Sequence, residues 1–126
     1  MFFDPDAAFP PIPDALDLVL EADAVMAAFA AQRLWRIEWL RAEAVRDAER
    51  SGRFGTEPLL RGLRLELASA MRITEYAAAS LIALAEALVH RYRPVLTALE
   101  QARVTERHVE LLVGGLDELD PDVRDR

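Results

Sequence analysis

Cysteine, lysine and asparagine are all absent from this chain of 126 residues. Without cysteine there is no disulfide framework, thiolate metal site or cysteine nucleophile, so zinc fingers are excluded. No stretch reaches the roughly 18 uninterrupted apolar residues that a membrane span needs. The first residues carry acids and prolines where a signal peptide carries a basic segment and an apolar run. We therefore expect a cytoplasmic protein with one modest core and no membrane contact.

Basic charge is also scarce, since 15 arginines against 22 acidic residues leave a net charge of −7 at pH 7. This balance argues against phosphate binding by the whole surface, because nucleic-acid affinity comes largely from cationic side chains that release counterions. The exclusive use of arginine is better explained by a GC-rich genome than by bidentate contacts, since the arginines are scattered along the chain. Any contact with nucleic acid must therefore be local.

Proline and glycine divide the chain into segments. Residues 1–13 hold four of the seven prolines, which favours an extended Pro-rich arm, either frayed or packed by its aromatics on the body or a partner. Asp14 can cap a helix, and the lack of glycine and proline up to Arg50 predicts one long helix or two abutting helices over residues 14–50. We interpret residues 14–115 as a single helical domain and residues 116–126 as an acidic tail.

The long helix carries apolar residues at three- and four-residue spacing, which predicts a face packed on the core. These residues are Leu16, Val19, Leu20, Val25, Met26, Phe29, Leu34, Ile37, Leu40 and Ala44. Trp35 and Trp39 form a second stripe four residues apart, which is either more core or a self-association surface. Glu38 and Arg41 have the spacing of a solvated salt bridge.

A joint between two shorter helices is predicted near Thr74. Pro58 suits the first turn of a helix that runs to about Met71. The hydroxyl of Thr74 can cap the next helix, and Glu75 places a negative charge at the positive end of that helix. Small and aliphatic residues on both sides let the two helices cross closely, as in a helix-turn-helix.

Two further helices follow within the segment 58–115. Pro94 can start a helix that runs to about residue 102, and Thr105 can cap a last helix that Gly114 and Gly115 would end. The expected fold is therefore all-α, with a long N-terminal helix packed on a helix-turn-helix-like cluster of short helices.

The order of residues over roughly 58–113 resembles a known family. The residues that carry the likeness are Glu66-Leu67-Ala68, Met71, Ile73-Thr74, Ala77, Leu81, Ala87-Leu88-Val89-His90-Arg91, Pro94, Leu96, Leu99-Glu100, Arg103-Val104-Thr105 and Arg107-His108. They are similar to the thirteen-E-twelve repeat family, a domain of unknown function that precedes HNH endonuclease modules in high-GC Gram-positive bacteria. The segment from Leu99 to Leu112 is also similar to the helix-turn-helix domain of ParB-type partition proteins.

The resemblance implies a non-catalytic DNA-binding or DNA-positioning module of an HNH-endonuclease-associated protein, with duplex DNA as the partner. The candidate DNA contacts are Arg72, Thr74, Tyr76, Arg91, Arg93, Arg103 and Arg107. In such a motif the helix from Glu75 onward would enter the major groove. Here that helix is expected to expose Glu75, Tyr76, Ala79 and Ser80, whereas many relatives of the family place arginine near Ala79 and Ser80, so direct base readout by this helix is not expected.

Catalysis is not expected from the residues present. An HNH nuclease needs a metal held by histidine and acidic or asparagine ligands, whereas this chain has only His90 and His108, no asparagine and no hairpin signal. We predict no catalytic residue, metal, cofactor or small-molecule substrate; a longer parent protein would carry any nuclease activity. The alternative function is an acidic helical protein-interaction or dimerisation module without DNA binding, a homodimer in which Trp35 and Trp39 self-associate.

Overall fold

The computed structural model describes residues 14–52 and 56–118, and these residues form five α-helices without a strand. The helices are α1 (Ala15–Arg50), α2 (Thr56–Met71), α3 (Glu75–His90), α4 (Arg93–Glu100) and α5 (Glu106–Asp117). The expected all-α fold, with a long first helix packed on shorter ones, is confirmed. The predicted arm at residues 1–13 and residues 119–126 of the predicted acidic tail lie outside the described residues.

Helix α1 begins where the sequence predicts. The Asp14 carboxylate accepts a hydrogen bond from the backbone N–H of Asp17 at 2.8 Å, and the Asp17 carboxylate accepts one from the Asp14 N–H at 3.3 Å. This reciprocal capping box satisfies two N–H groups near the start of the helix. From there α1 continues unbroken for 36 residues, a length of about 54 Å. The alternative of two abutting helices is therefore wrong.

The core is organised around α3, which packs against all four of the other described helices. Its sequence is almost continuously apolar, and this is typical of a helix buried on several sides. The core residues are Ala31, Leu34 and Ile37 of α1, Leu63 of α2, Ile82, Leu84, Ala85, Ala87, Leu88 and Val89 of α3, Tyr92, Leu96 and Leu99 in and before α4, and Val109 and Val113 of α5.

The predicted core face of α1 is wrong for the first half of the helix. Leu34 and Ile37 are buried as expected. The earlier residues of that face, Leu16, Val19, Leu20, Val25, Met26 and Phe29, are 50–68% exposed, and Leu40 is 45% exposed. The reason is length: α3 has 16 residues and spans about 24 Å, less than half of α1.

Helix α5 continues past the point where glycine was expected to end it. Gly114 and Gly115 lie inside the helix, which runs to Asp117. Each glycine costs a helix roughly 1 kcal/mol relative to alanine. Leu116, which is partly buried, packs against the core just after the two glycines. The other predicted helix ends fall within two residues of those observed.

Candidate nucleic-acid interface

The turn between α2 and α3 is closed by backbone hydrogen bonds of the Schellman type. The N–H of Ile73 donates to the carbonyl oxygen of Ala68 at 3.0 Å, and the N–H of Arg72 donates to that of Ser69 at 3.3 Å. Arg72 has a φ of 57°, the left-handed conformation that this motif usually gives to glycine. The turn therefore fixes an arginine side chain at the corner between the two helices.

Thr74 starts α3 in the predicted way. Its hydroxyl oxygen accepts a hydrogen bond from the Ala77 N–H at 3.0 Å, and its carbonyl oxygen accepts one from the Ala78 N–H at 3.0 Å. Across this turn the chain changes direction by 111° between α2 and α3. Helix-turn-helix units join their helices at about 90–120°. The α2–α3 joint therefore has helix-turn-helix geometry.

The turn between α4 and α5 is built in the same way. Ala102 has a φ of 58°, and the N–H of Arg103 donates to the carbonyl oxygen of Ala98 at 2.9 Å. The hydroxyl of Thr105 then caps α5 by accepting from the His108 N–H at 3.1 Å. The protein thus contains two successive joints with a left-handed residue before the turn and a threonine cap after it.

A short sequence repeat accompanies the two joints. Residues 72–75 are Arg-Ile-Thr-Glu and residues 103–106 are Arg-Val-Thr-Glu. The threonine caps were predicted one at a time, but the repeat was missed, although three identical residues and an Ile/Val pair were visible in the sequence. In both copies the arginine lies in the turn and the glutamate in the first turn of the new helix.

The side chains of Arg72 and Arg103 are exposed at these two turns. Among residues 14–52 and 56–118, neither guanidinium has a hydrogen-bond or ion-pair partner. Both are therefore available to an anionic ligand.

The outer face of α3 has few hydrogen-bond donors, as the sequence predicts. Tyr76 is 83% exposed, and Glu75, Ser80 and Ala83 are also exposed. The opposite face is buried in the core. The hydroxyls of Tyr76 and Ser80 are thus the only side-chain donors on the exposed positions of the first two turns that the structure describes.

Three of the predicted DNA contacts meet in one groove between α3 and α5. Tyr76 and Ser80 line it from α3, Arg107 from α5, and Arg91 from the end of α3. Glu110 is also in its wall, and its carboxylate lies 3.3 Å from Nη1 of Arg107. Both side chains of this ion pair are largely exposed, so the pair is weak and Arg107 remains accessible.

Arg93 lies elsewhere, against α1. Its guanidinium carbon is 4.4 Å from the centre of the Trp35 ring, a stacked cation–π contact. Its Nε and Nη2 atoms donate to the carbonyl oxygen of Val89 at 3.0 and 2.9 Å. Arg93 thus supports the end of α3, and the structure does not bring it together with the groove residues.

The two tryptophans have different surroundings. Trp35 is half-buried, packs against the core, and donates from Nε1 to the Glu100 carboxylate at 2.9 Å. Trp39 is 66% exposed. Both side chains line a shallow apolar groove together with Val89 and His90. The buried-core interpretation therefore fits Trp35 in part and does not fit Trp39.

Glu38 is the only charged residue that the described structure buries, at 4% exposure. The interpretation of Glu38 and Arg41 as a solvated pair is therefore wrong. Arg41 donates to the Glu38 carboxylate from Nε at 3.0 and 3.1 Å and from Nη2 at 2.7 Å, and His90 Nε2 lies 3.1 Å away. Burial raises the pKa of Glu38, but hydrogen bonds and charge from Arg41 and His90 outweigh it and hold the pKa below its ordinary 4.5.

The described residues 14–52 and 56–118 contain no arrangement typical of a metal site. No group of three or more histidine, aspartate or glutamate side chains there has the arrangement to hold a metal ion. No single described helix is both long and apolar enough to cross a membrane, although α2 and α3 taken together across their bend meet that test of length and composition.

Comparisons with family models, curated proteins and solved structures give no match.

Proposed function

We propose that this chain is a non-catalytic module that holds duplex DNA through its two threonine-capped joints. The observation that carries the proposal is the 111° turn between α2 and α3, closed by the Arg72 turn and the Thr74 cap. Helix-turn-helix units use this geometry to lay their second helix against the major groove. If residues 58–113 belong with the thirteen-E-twelve repeat family, as their order predicts, an HNH module would supply the cleavage chemistry.

The contacts that this module makes are mainly to phosphate. Arg72 and Arg103 are exposed at the two joints, and Arg91 and Arg107 line the groove between α3 and α5. Arginine pairs well with phosphate oxygens because its planar guanidinium donates two parallel hydrogen bonds. Contacts of this kind set the position of a protein on DNA and carry no sequence information themselves.

Base readout has a minor part in this proposal. The first exposed side chains of α3 are Glu75, Tyr76 and Ser80, and none of them makes the bidentate contact with guanine that arginine makes. The net charge of −7 also repels DNA from the parts of the surface that carry no arginine. The module is therefore expected to bind many duplex sequences with similar, modest affinity and with a clear dependence on salt.

Fluorescence anisotropy of a labelled duplex, measured across a salt series, tests the proposal. The wild-type chain should bind at low salt, and log K should fall linearly with log salt. Replacing Arg72 and Arg103 with alanine should weaken binding to every duplex alike and reduce the magnitude of the slope by about two, since each phosphate contact contributes roughly one unit.

The matched control removes two arginine charges from the C-terminal end of α1, which precedes α2 in the chain. Arg46 and Arg50 lie in the last turns of α1, and along the chain the whole of α2, 16 residues or about 24 Å of helix, lies between them and the α2–α3 joint. Their double alanine variant should keep the wild-type slope. Absence of binding at low salt, or equal loss in the two double variants, would rule out the proposed interface.

A further inference from the structure

The first half of α1 exposes an apolar surface that no described part of the chain covers. Of the thirteen large apolar side chains that are exposed among the described residues, nine lie on α1 and seven lie between Leu16 and Phe29. Contiguous apolar patches of this kind mark interaction sites in soluble proteins. The location differs from the Trp35–Trp39 stripe, which lies further along the helix.

The apolar residues of this half cover more of the helix than one packing face requires. At about 100° per residue they spread over roughly 220° of the circumference, about twice the stripe that an amphipathic helix buries in its own domain. The inner part of this arc continues the core face beyond Ala27. The outer part faces away from the core, so only a second packing partner would bury it.

The outer part has the spacing of a coiled-coil seam. Leu18, Ala22, Val25 and Phe29 follow one another at intervals of four, three and four residues, which places them in one row along the helix. All four are exposed. The polar residues Gln32 and Arg36 follow at the same spacing, so the apolar row ends at Phe29. A groove beside the row, lined in part by Phe29, Trp35 and Glu100, would receive side chains from a neighbouring helix.

Charge along α1 selects the orientation of that neighbour. The first turns carry Asp14, Asp17, Glu21 and Asp23, whereas the first basic residues are Arg36 and Arg33, of which Arg33 also pairs with Glu106 at 2.8 Å. A parallel copy of α1 would bring two acidic ends together. An antiparallel copy places the acidic end of each helix near the arginines of the other and opposes the two helix dipoles favourably.

We propose that two copies of this chain associate through the row Leu18–Ala22–Val25–Phe29, with their α1 helices antiparallel. Residues 1–13 are a poorer occupant, because they contain Asp4 and Asp6 and no basic residue to meet the acids of α1. The dimer requires no nucleic acid, so its test and that of DNA binding are independent.

Sedimentation equilibrium of the full chain, without DNA, measures the association. The expected mass is twice the monomer mass of 14.1 kDa. Phe29→Glu should return the chain to the monomer mass, because it replaces the largest apolar side chain of the row with a charge. Since Phe29 is 65% exposed, the variant keeps its fold, and an unchanged far-ultraviolet circular dichroism spectrum checks this.

Leu111→Glu is the matched control, because Leu111 is 58% exposed on α5 and should leave the dimer intact. A wild-type monomer, or a dimer that survives Phe29→Glu, would overturn the proposal. A monomer in which a probe at position 29 is shielded from solvent would instead assign the face to residues 1–13.

Introduced cysteines test the orientation, because the chain has no cysteine of its own. Val25→Cys lies near the middle of an antiparallel pair and should form an intermolecular disulfide under mild oxidation. Trp39→Cys lies at opposite ends of the two helices and should not. Cross-linking at both positions would indicate a parallel pair, and cross-linking at neither would contradict contact through this row.

Discussion

The Glu38 carboxylate lies 3.1 Å from Nε2 of His90 and joins the middle of α1 to the last turn of α3. Arg41 holds the same carboxylate from the other side. The cluster lies next to the buried residues Leu34 and Ile37. It therefore connects α1 to α3, the helix whose first turn lies in the proposed interface. Because Glu38 is buried, loss of its charge affects stability in a measurable way.

Glu38→Gln should lower the free energy of unfolding by about 2 kcal/mol, since a hydrogen bond to a charged group contributes about 1.5–3 kcal/mol. The amide keeps the shape of the side chain but leaves Arg41 without its nearest opposite charge. Chemical denaturation measures the change. Glu43→Gln on the exposed side of α1 is the control and should change stability by less than about 0.5 kcal/mol. Equal changes in the free energy of unfolding of the two variants would show that the Glu38 cluster stabilises the fold no more than an exposed glutamate does.

Stability should also fall in acid because of Glu38. Its pKa is lower in the folded protein than its ordinary 4.5, so between the two values the unfolded chain binds more protons. Its contribution is complete above the unfolded pKa and is lost as pH falls through the folded pKa. Unfolding curves of wild type and Glu38→Gln, measured from neutral pH to below 4.5, should converge on acidification. A constant difference between them would contradict this assignment.

Ala102→Gly should stabilise the protein by about 0.5–1 kcal/mol. A non-glycine residue in the left-handed region costs about 1–2 kcal/mol, and glycine removes this cost but also increases the conformational entropy of the unfolded chain, which cancels part of the gain. Thermal unfolding measures the gain. Ala83→Gly is the matched control, since Ala83 is exposed inside α3, and it should destabilise by about 1 kcal/mol. A loss of stability in both variants would show that the α4–α5 turn is not under strain.

Features set by near neighbours in the chain were predictable from the sequence. The caps formed by Asp14, Thr74 and Thr105 each depend on a backbone N–H three residues further on. Such contacts follow from residue type and spacing alone. The same local rules located the α2–α3 joint, although the left-handed conformation of Arg72 gave no signal, because glycine is the usual residue there.

Features that depend on distant contacts were not predictable. The burial of Glu38 depends on His90, 52 residues away, and Arg93 lies over Trp35 because α4 packs on α1. Periodicity showed that α1 is apolar near Phe29, but it does not report the length of the helices that would cover it. These contacts are set by how the helices pack together, and the periodicity of a single sequence carries little information about that packing.

The central claim is that the two threonine-capped joints form the surface that contacts DNA. Backbone amide chemical shifts of the isotopically labelled chain, followed as a short duplex is added at low salt, test it most directly. The proposal predicts that the largest shift changes lie in residues 72–76 and 103–107 and disappear as salt is raised. No change at these residues, or changes confined to residues 18–29 of α1, would contradict it.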